Sequence, residues 1–135
     1  MCIRDRLDPF SNAVLSITKI KSGSAFNVIP ESIDAYDADK WLNDALFTIE
    51  TRKEFREIVS LGLNDMYRAY NPLAKDFTFW DYQRGAWQKN EGIRIDHILA
   101  SPIAADQISN IVIDKEERDK NKPSDHVPII AEIDL

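Results

Sequence analysis

The nine residues Gly92-Ile93-Arg94-Ile95-Asp96-His97-Ile98-Leu99-Ala100 set the tightest constraint on the fold. Their apolar density is that of a buried strand, in which alternate side chains project to opposite faces. Ile93, Ile95, His97 and Leu99 then share one face, and Arg94, Asp96 and Ile98 share the other. Asp96 therefore sits inside a run built for burial, where an ionised carboxylate is costly unless it has a partner.

Other strand-length runs surround this one. Phe77 to Trp80, Ile108 to Asp114 and Val127 to Ile133 have lengths suited to a sheet, and Ala13 to Ile20 is rich in strand formers. Phe26-Asn27-Val28-Ile29-Pro30 reads as a short buried strand ending at proline. Residues Glu31 to Lys40 form an acidic loop, and Lys115 to Lys122 a mixed-charge hairpin or loop. A helix is expected from about Arg52 to Leu61, with Thr51 and Glu54 at capping-box spacing, Phe55, Ile58 and Val59 on one face, and Gly62 as its stop. Asp65 is placed to cap a further turn carrying Met66, Tyr67 and Tyr70, before Asn71-Pro72 breaks the chain. Met1 to Asn12 shows no period and reads as a tail.

Length and composition bound the function classes. A chain of 135 residues has the size of one domain or part of one, and three Trp, four Tyr and six Phe supply bulky core groups. The single cysteine, Cys2, excludes an internal disulfide and a cysteine-based zinc cluster, which fits a reducing compartment. No apolar run approaches the roughly 20 residues needed to cross a bilayer, so a cytoplasmic protein without a membrane partner is expected. A net charge of -6 argues against nucleic-acid binding by bulk electrostatics alone, leaving room for local positive charge or metal ions.

The polar outliers carry the chemistry. Pro123-Ser124-Asp125-His126-Val127-Pro128 sets an Asp-His pair in a loop that runs into the apolar terminal strand. His126 is suited to act as a general base or to hydrogen-bond a phosphate, with Asp96 from a neighbouring strand orienting its imidazole. Asp125 is then available to a hard cation such as Mg²⁺, which takes oxygen ligands. The plain alternative makes Asp125 a turn residue, His126 a surface ring, and Asp96 the partner of Arg94 or of a backbone amide. Asn27, inside an apolar run, must find partners whether its role is structural or catalytic. A third cluster, Phe79 to Asn90, interleaves aromatics with Arg84 and Lys89, a pattern for stacking on bases or a sugar while cations meet phosphates; packed aromatics followed by a polar loop are its plain reading.

Taken together, FNVIP, FTFWDYQRGAWQKNEGIRIDHILAS and KPSDHVPIIAEI resemble the carboxyl-terminal half of exodeoxyribonuclease III, in the abasic-site endonuclease branch of the endonuclease/exonuclease/phosphatase superfamily. The resemblance runs from about Phe26 to Leu135, with residues 1–25 an unmatched tail or misassembled start. It implies an α/β fold, part of a two-sheet β-sandwich flanked by helices, that cuts DNA phosphodiesters with Mg²⁺ or Mn²⁺. By motif, His126 matches the histidine that contacts the scissile phosphate, Asp96 the aspartate bonded to it, and Asp125 a carboxylate associated with the metal. Asn27 matches the asparagine that stabilises the transition state beside a metal position. Phe79, Ile93 and Ile95 match the pocket for a flipped-out abasic sugar, Gln83 approaches the duplex there, and Arg84 adds a cation. Double-stranded DNA with abasic sites is the implied partner.

Two departures matter. The family's Gly-Asp-Phe-Asn reads Ser24-Ala25-Phe26-Asn27 here, so Ala25 replaces the catalytic aspartate. The family's amino-terminal half, with a metal-binding glutamate and an active-site tyrosine, has no counterpart in this sequence. The chain is therefore expected to be an inactive or nearly inactive fragment whose uncovered sheet faces favour self-association or a complementary chain. Another phosphoesterase of the superfamily, or a noncatalytic DNA-binding remnant, are the competing readings.

Overall fold

A computed structural model describes residues 14–17, as backbone, and 27–133; Ala25, Phe26 and the tail lie outside the described residues. The fold is α/β with two small sheets. In the first, β3 (His97–Ala100) lies between β1 (Val14–Ile17) and β2 (Asn64–Asp65), antiparallel to both, with Leu99 opposite Leu15 on one side and Asp65 on the other. The second pairs β4 (Ile108–Ile113) with β5 (Ile129–Ile133), Ile111 facing Ala131. Among the described residues no helix is long and apolar enough to cross a membrane.

Helix α1 (Ile49–Ser60) begins a turn earlier than the apolar spacing implied. Its cap is Thr48, whose hydroxyl accepts from Thr51 N at 3.2 Å, while the Thr51 hydroxyl donates to Ala45 O. The first turn carries an exposed Ile49 and no inward apolar residue, so the periodicity that locates the helix starts only at Phe55. Phe55 is buried with Val28, Leu63 and Leu99, and Ile58 and Val59 pack against them. Gly62 ends the helix as expected, at φ +100. A side chain there would meet open space, so the requirement is conformational rather than steric.

Asp65 caps α2 (Met66–Tyr70), accepting from Arg68 N. A third helix, α3 (Pro102–Gln107), was not anticipated, although Ser101 followed by Pro102 is a helix-start signal: the serine side chain accepts from Ala104 N. Both helices pack with Ile98, Ala100, Ile108 and Ile111 in one core cluster.

Three expected strands are altered. Val28 to Pro30 is buried but joins no ladder; Ile29 N bonds Leu46 O, and Val28 O receives a histidine side chain. Residues 77–80 are reduced to single bridges from Phe79 to Ile93 and to His126. The run 92–100 is buried throughout, yet it is regular strand only from His97. The cause is Thr78: its hydroxyl accepts from both Ile95 N (3.1 Å) and Asp96 N (3.2 Å), replacing carbonyls that a ladder would offer. The acidic loop contains two 3₁₀ turns, Ser32–Asp34 and Ala38–Trp41, and buries Asp34; the 115–122 loop contains a third, Lys115–Asp119.

Gly92 marks where backbone and aromatics approach most closely. A Cβ there would lie 2.6 Å from Trp80 Nε1 and 2.7 Å from Phe77 Cβ, inside any real contact. Gly92→Ala must displace the Phe77–Trp80–Val127 cluster and is expected to lower stability by about 1–3 kcal/mol. Urea unfolding at constant m-value checks this; an unchanged midpoint would mean the cluster tolerates the methyl.

Candidate active site

His126 and Asp96, 30 positions apart, meet through Nδ1 and Oδ2 at 2.8 Å. Both are positioned by Thr78, which is fully buried. Its hydroxyl holds the Asp96 amide, and its carbonyl accepts from Val127 N at 2.8 Å, on the other side of the site. Trp80 N donates to Asp125 O at 3.0 Å, and the Phe79 and His126 rings meet edge to face with centroids 5.1 Å apart. Asp96 is 2% exposed, whereas the His126 side chain is 30% exposed. An ionised carboxylate only accepts, so Nδ1 carries the proton of a neutral ring and Nε2 is its unprotonated nitrogen. That is the tautomer a proton acceptor needs.

The plain reading in which Asp96 pairs with Arg94 does not hold. Arg94, 1% exposed, bonds Asp34 through Nε (2.7 Å) and grips Asp65 with both terminal nitrogens (3.0 and 2.7 Å). Arg68 adds a second cation on Asp34 at 2.5 Å. Two guanidinium groups thus balance two carboxylates, and Asp96 is left to His126. The charge and hydrogen bonds of Arg94 hold Asp65 below its ordinary pKa of 3.8, overcoming burial, which acts the other way.

His97 completes this network: the alternation expected to set Arg94 and His97 on opposite faces does not hold, because residues 94–96 are not regular strand. Its Nε2 bonds Val28 O at 2.9 Å and its Nδ1 meets Arg94 Nη1 at 3.2 Å. A carbonyl accepts and a guanidinium donates, so this ring is the neutral Nε2–H tautomer. Burial, and then the charge of Arg94, push its pKa below 6.5.

Asn27 leads into the same anchor, since Val28 follows it and His97 follows Asp96. Its amide oxygen is buried without a hydrogen-bond partner. Asp125 is half-buried. Their side chains carry three oxygens, two on Asp125 and one on Asn27, fewer than the six a Mg²⁺ takes. Among the described residues no three His, Cys, Asp or Glu side chains gather as a metal-binding group. The described side chains therefore do not amount to a complete cation site.

Phe79, whose ring meets that of His126, is also a wall of a cleft of about 330 Å³ that His126 itself does not line. Phe79, Gln83, Arg84 and Ile93 line it, four of the six anticipated DNA contacts; His126 and Ile95 do not, and Ile95 is packed with Ile29, Ala35 and Phe47. Tyr36 and Trp41 also line it and were not anticipated, because they come from a distant loop that carries no periodic signal. Trp41 Nε1 is buried without a partner. Arg84 adopts φ 56, unusual for a residue with a side chain.

Residues 26–126 match the Endonuclease/Exonuclease/phosphatase family. The chain belongs to this family. It is 36% identical over 113 residues to "Exodeoxyribonuclease III" of Haemophilus influenzae, covering 78% of this chain and 42% of that protein. It is 36% identical over 110 residues to a "DNA-(apurinic or apyrimidinic site) endonuclease" of Dictyostelium discoideum, covering 81% and 30%. Among solved structures, an AP endonuclease from Archaeoglobus fulgidus superposes with a TM-score of 0.85 at 34% identity, covering 96% of this chain and 48% of that one. The 3′ phosphatase NExo (D146N) from Neisseria, bound to a product DNA hairpin, superposes at 0.82 and 35% identity, covering 92% and 46%. The chain thus spans less than half the length of these members of the Endonuclease/Exonuclease/phosphatase family.

Two outcomes follow for this member of the family. Asp96→Ala removes the acceptor that holds Nδ1–H of His126, so the preference for that tautomer is expected to weaken, read from imidazole ¹⁵N shifts; an unchanged tautomer would show that Asp96 does not set it. His97, whose folded pKa is depressed, binds a proton more readily when unfolded. Its contribution is therefore fully present above about pH 6.5 and is lost as pH falls below that value. Asp65 adds a second loss below about 3.8. Unfolding free energies measured from pH 7.5 to 3 should slope accordingly, and His97→Gln should remove the upper slope alone.

Proposed function

We propose that the chain is the carboxyl-terminal half of a DNA-repair hydrolase of the exonuclease III and abasic-site endonuclease branch, residues 26–135 forming its share of a two-sheet sandwich. The observation that carries the reading is the His126–Asp96 pair standing against Phe79, a residue that also lines the cleft. The sequence match to proteins named as exodeoxyribonuclease III and abasic-site endonuclease supports it.

In this reading duplex DNA with an abasic site is the partner. A sugar without a base enters the cleft between Phe79 and Ile93 without breaking a base pair, which gives selectivity for damage. Gln83 and Arg84, from the loop above, approach the duplex and its phosphates. His126 Nε2 faces the scissile phosphodiester and hydrogen-bonds it or accepts a proton, while Asp96 holds the tautomer and stabilises the imidazolium that forms. Asn27 supplies an amide to the charge that develops on phosphate oxygens. Mg²⁺ or Mn²⁺ is the proposed cofactor, with Asp125 and Asn27 the donors this chain contributes.

The chain alone is read as nearly inactive, because Ala25 stands where the family pattern has a proton-exchanging aspartate. Fluorescence anisotropy is expected to show tighter, salt-dependent binding of an abasic duplex than of an intact one, with Phe79→Ala reducing the preference. With Mg²⁺, cleavage of abasic and of 3′-phosphate duplexes is expected to stay near background and to rise in Ala25→Asp, the gain disappearing with His126→Ala. Robust turnover by the unaltered chain would overturn the inactivity. Equal affinity for damaged and intact duplexes would sink the reading itself, and binding with no gain in Ala25→Asp would favour a noncatalytic remnant.

A further inference from the structure

We propose that Arg118 is a positioning residue that keeps the loop bearing Gln83 and Arg84 in register with His126. The proposal deepens the reading above and rests on it for the identity of the ligand.

Arg118 lies in the Lys115–Asp119 turn and is 8% exposed. Among the described residues no carboxylate pairs with it. Instead Nη2 donates to Trp80 O at 3.2 Å and reaches Asp81 O at 3.5 Å. Its guanidinium carbon is 4.9 Å from the Tyr82 ring centroid and 5.9 Å from that of Trp87. Its Nε has no partner. A buried cation without an acid, and with one donor unmet, is a poor device for stability alone. Its useful property here is a planar cation that brings one terminal nitrogen to two adjacent carbonyls while its face lies over the rings that follow them.

Those carbonyls immediately precede the cleft wall. From Asp81 to Asn90 the chain is turns without a ladder, and Arg84 sits at positive φ, so the loop must be held from outside. The outside is the segment that ends in the site. Tyr82 OH donates to Pro123 O at 2.7 Å, Trp87 Nε1 to Asp119 Oδ1 at 2.7 Å, and Trp80 N to Asp125 O at 3.0 Å. Arg118 fills the middle of this clamp, crossing from the 115–123 segment to the carbonyls that open the aromatic loop. Without it Gln83 and Arg84 are free to shift relative to Phe79 and His126. A displacement of about 1 Å is enough to cost on the order of 10²-fold in a positioned reaction.

The test uses the full chain, with Arg118→Lys, Arg118→Met and, at the other end of the clamp, Tyr82→Phe. Anisotropy is measured on a duplex carrying one tetrahydrofuran abasic analogue and on the intact duplex. Below the unfolding transition, the ratio of the two affinities is expected to fall by roughly tenfold in both Arg118 variants and less in Tyr82→Phe. A lowered unfolding midpoint with an unchanged ratio would make Arg118 merely structural and overturn the proposal. If Arg118→Met fails to fold, Arg118→Lys and Tyr82→Phe decide by the same ratio. An unaltered chain with no abasic preference would refute the functional reading instead. The register would then be read from the Phe79–His126 ring NOE and the Trp87 indole resonance: a change in Arg118→Lys supports the clamp, and identity with the unaltered chain overturns it.

Discussion

Thr78 is the residue on which the rest of the site depends. It is fully buried, yet its hydroxyl accepts two successive amides of the 92–100 run and its carbonyl accepts the amide that follows His126. One side chain and its own backbone thus join two segments separated by some thirty residues of chain. A valine of the same shape would leave the Ile95 and Asp96 amides buried and unpaired, at about 1–3 kcal/mol each. The interruption of the strand at 94–96 is the structural consequence, and it coincides with the point where Asp96 must face His126 rather than a sheet neighbour.

Charge sorting around that run follows a simple balance. Arg94 and Arg68 are matched by Asp34 and Asp65, and His97 stays neutral because a proton on Nδ1 would confront a guanidinium N–H. The network ties the acidic loop, the cap of α2 and the start of β3 to one buried guanidinium. Breaking it by removing one partner leaves an uncompensated charge, a loss of about 3–5 kcal/mol in such settings. Because Arg94 is engaged by Asp34, Asp65 and His97, the basic group that meets Asp96 at hydrogen-bond distance among the described residues is the imidazole. The stability of the core and the orientation of the candidate catalytic histidine are therefore linked through neighbouring residues of the 92–100 run.

Much of this was legible from local pattern. The run 92–100 announced a buried carboxylate, Asp65 announced a cap, Gly62 a stop, and Ser124-Asp125-His126 a loop with chemistry. The start of α1 was misplaced because Ile49 points outward and contributes nothing to the apolar period. The strand at 77–80 dissolved into bridges because Thr78 uses its hydroxyl where a ladder would use carbonyls. Trp41 and Tyr36 were missed as cleft residues because nothing in a loop's composition tells which pocket its aromatics will reach. Arg118 looked like one charge in a mixed-charge loop, and only its two carbonyl partners and two ring faces set it apart.

What the amino-acid order determined by itself was the family and the inventory: residue types at fixed spacings select helix caps, buried runs and a reactive loop, because those preferences act over a few residues. What the tertiary structure alone decided was the pairing. Asp96 had Arg94 two positions away and His126 thirty positions away, and the nearer partner lost because two other carboxylates had already engaged it. Such a choice depends on which groups folding brings within hydrogen-bond reach in a medium where every buried charge requires a partner, and that is a property of the whole packed chain.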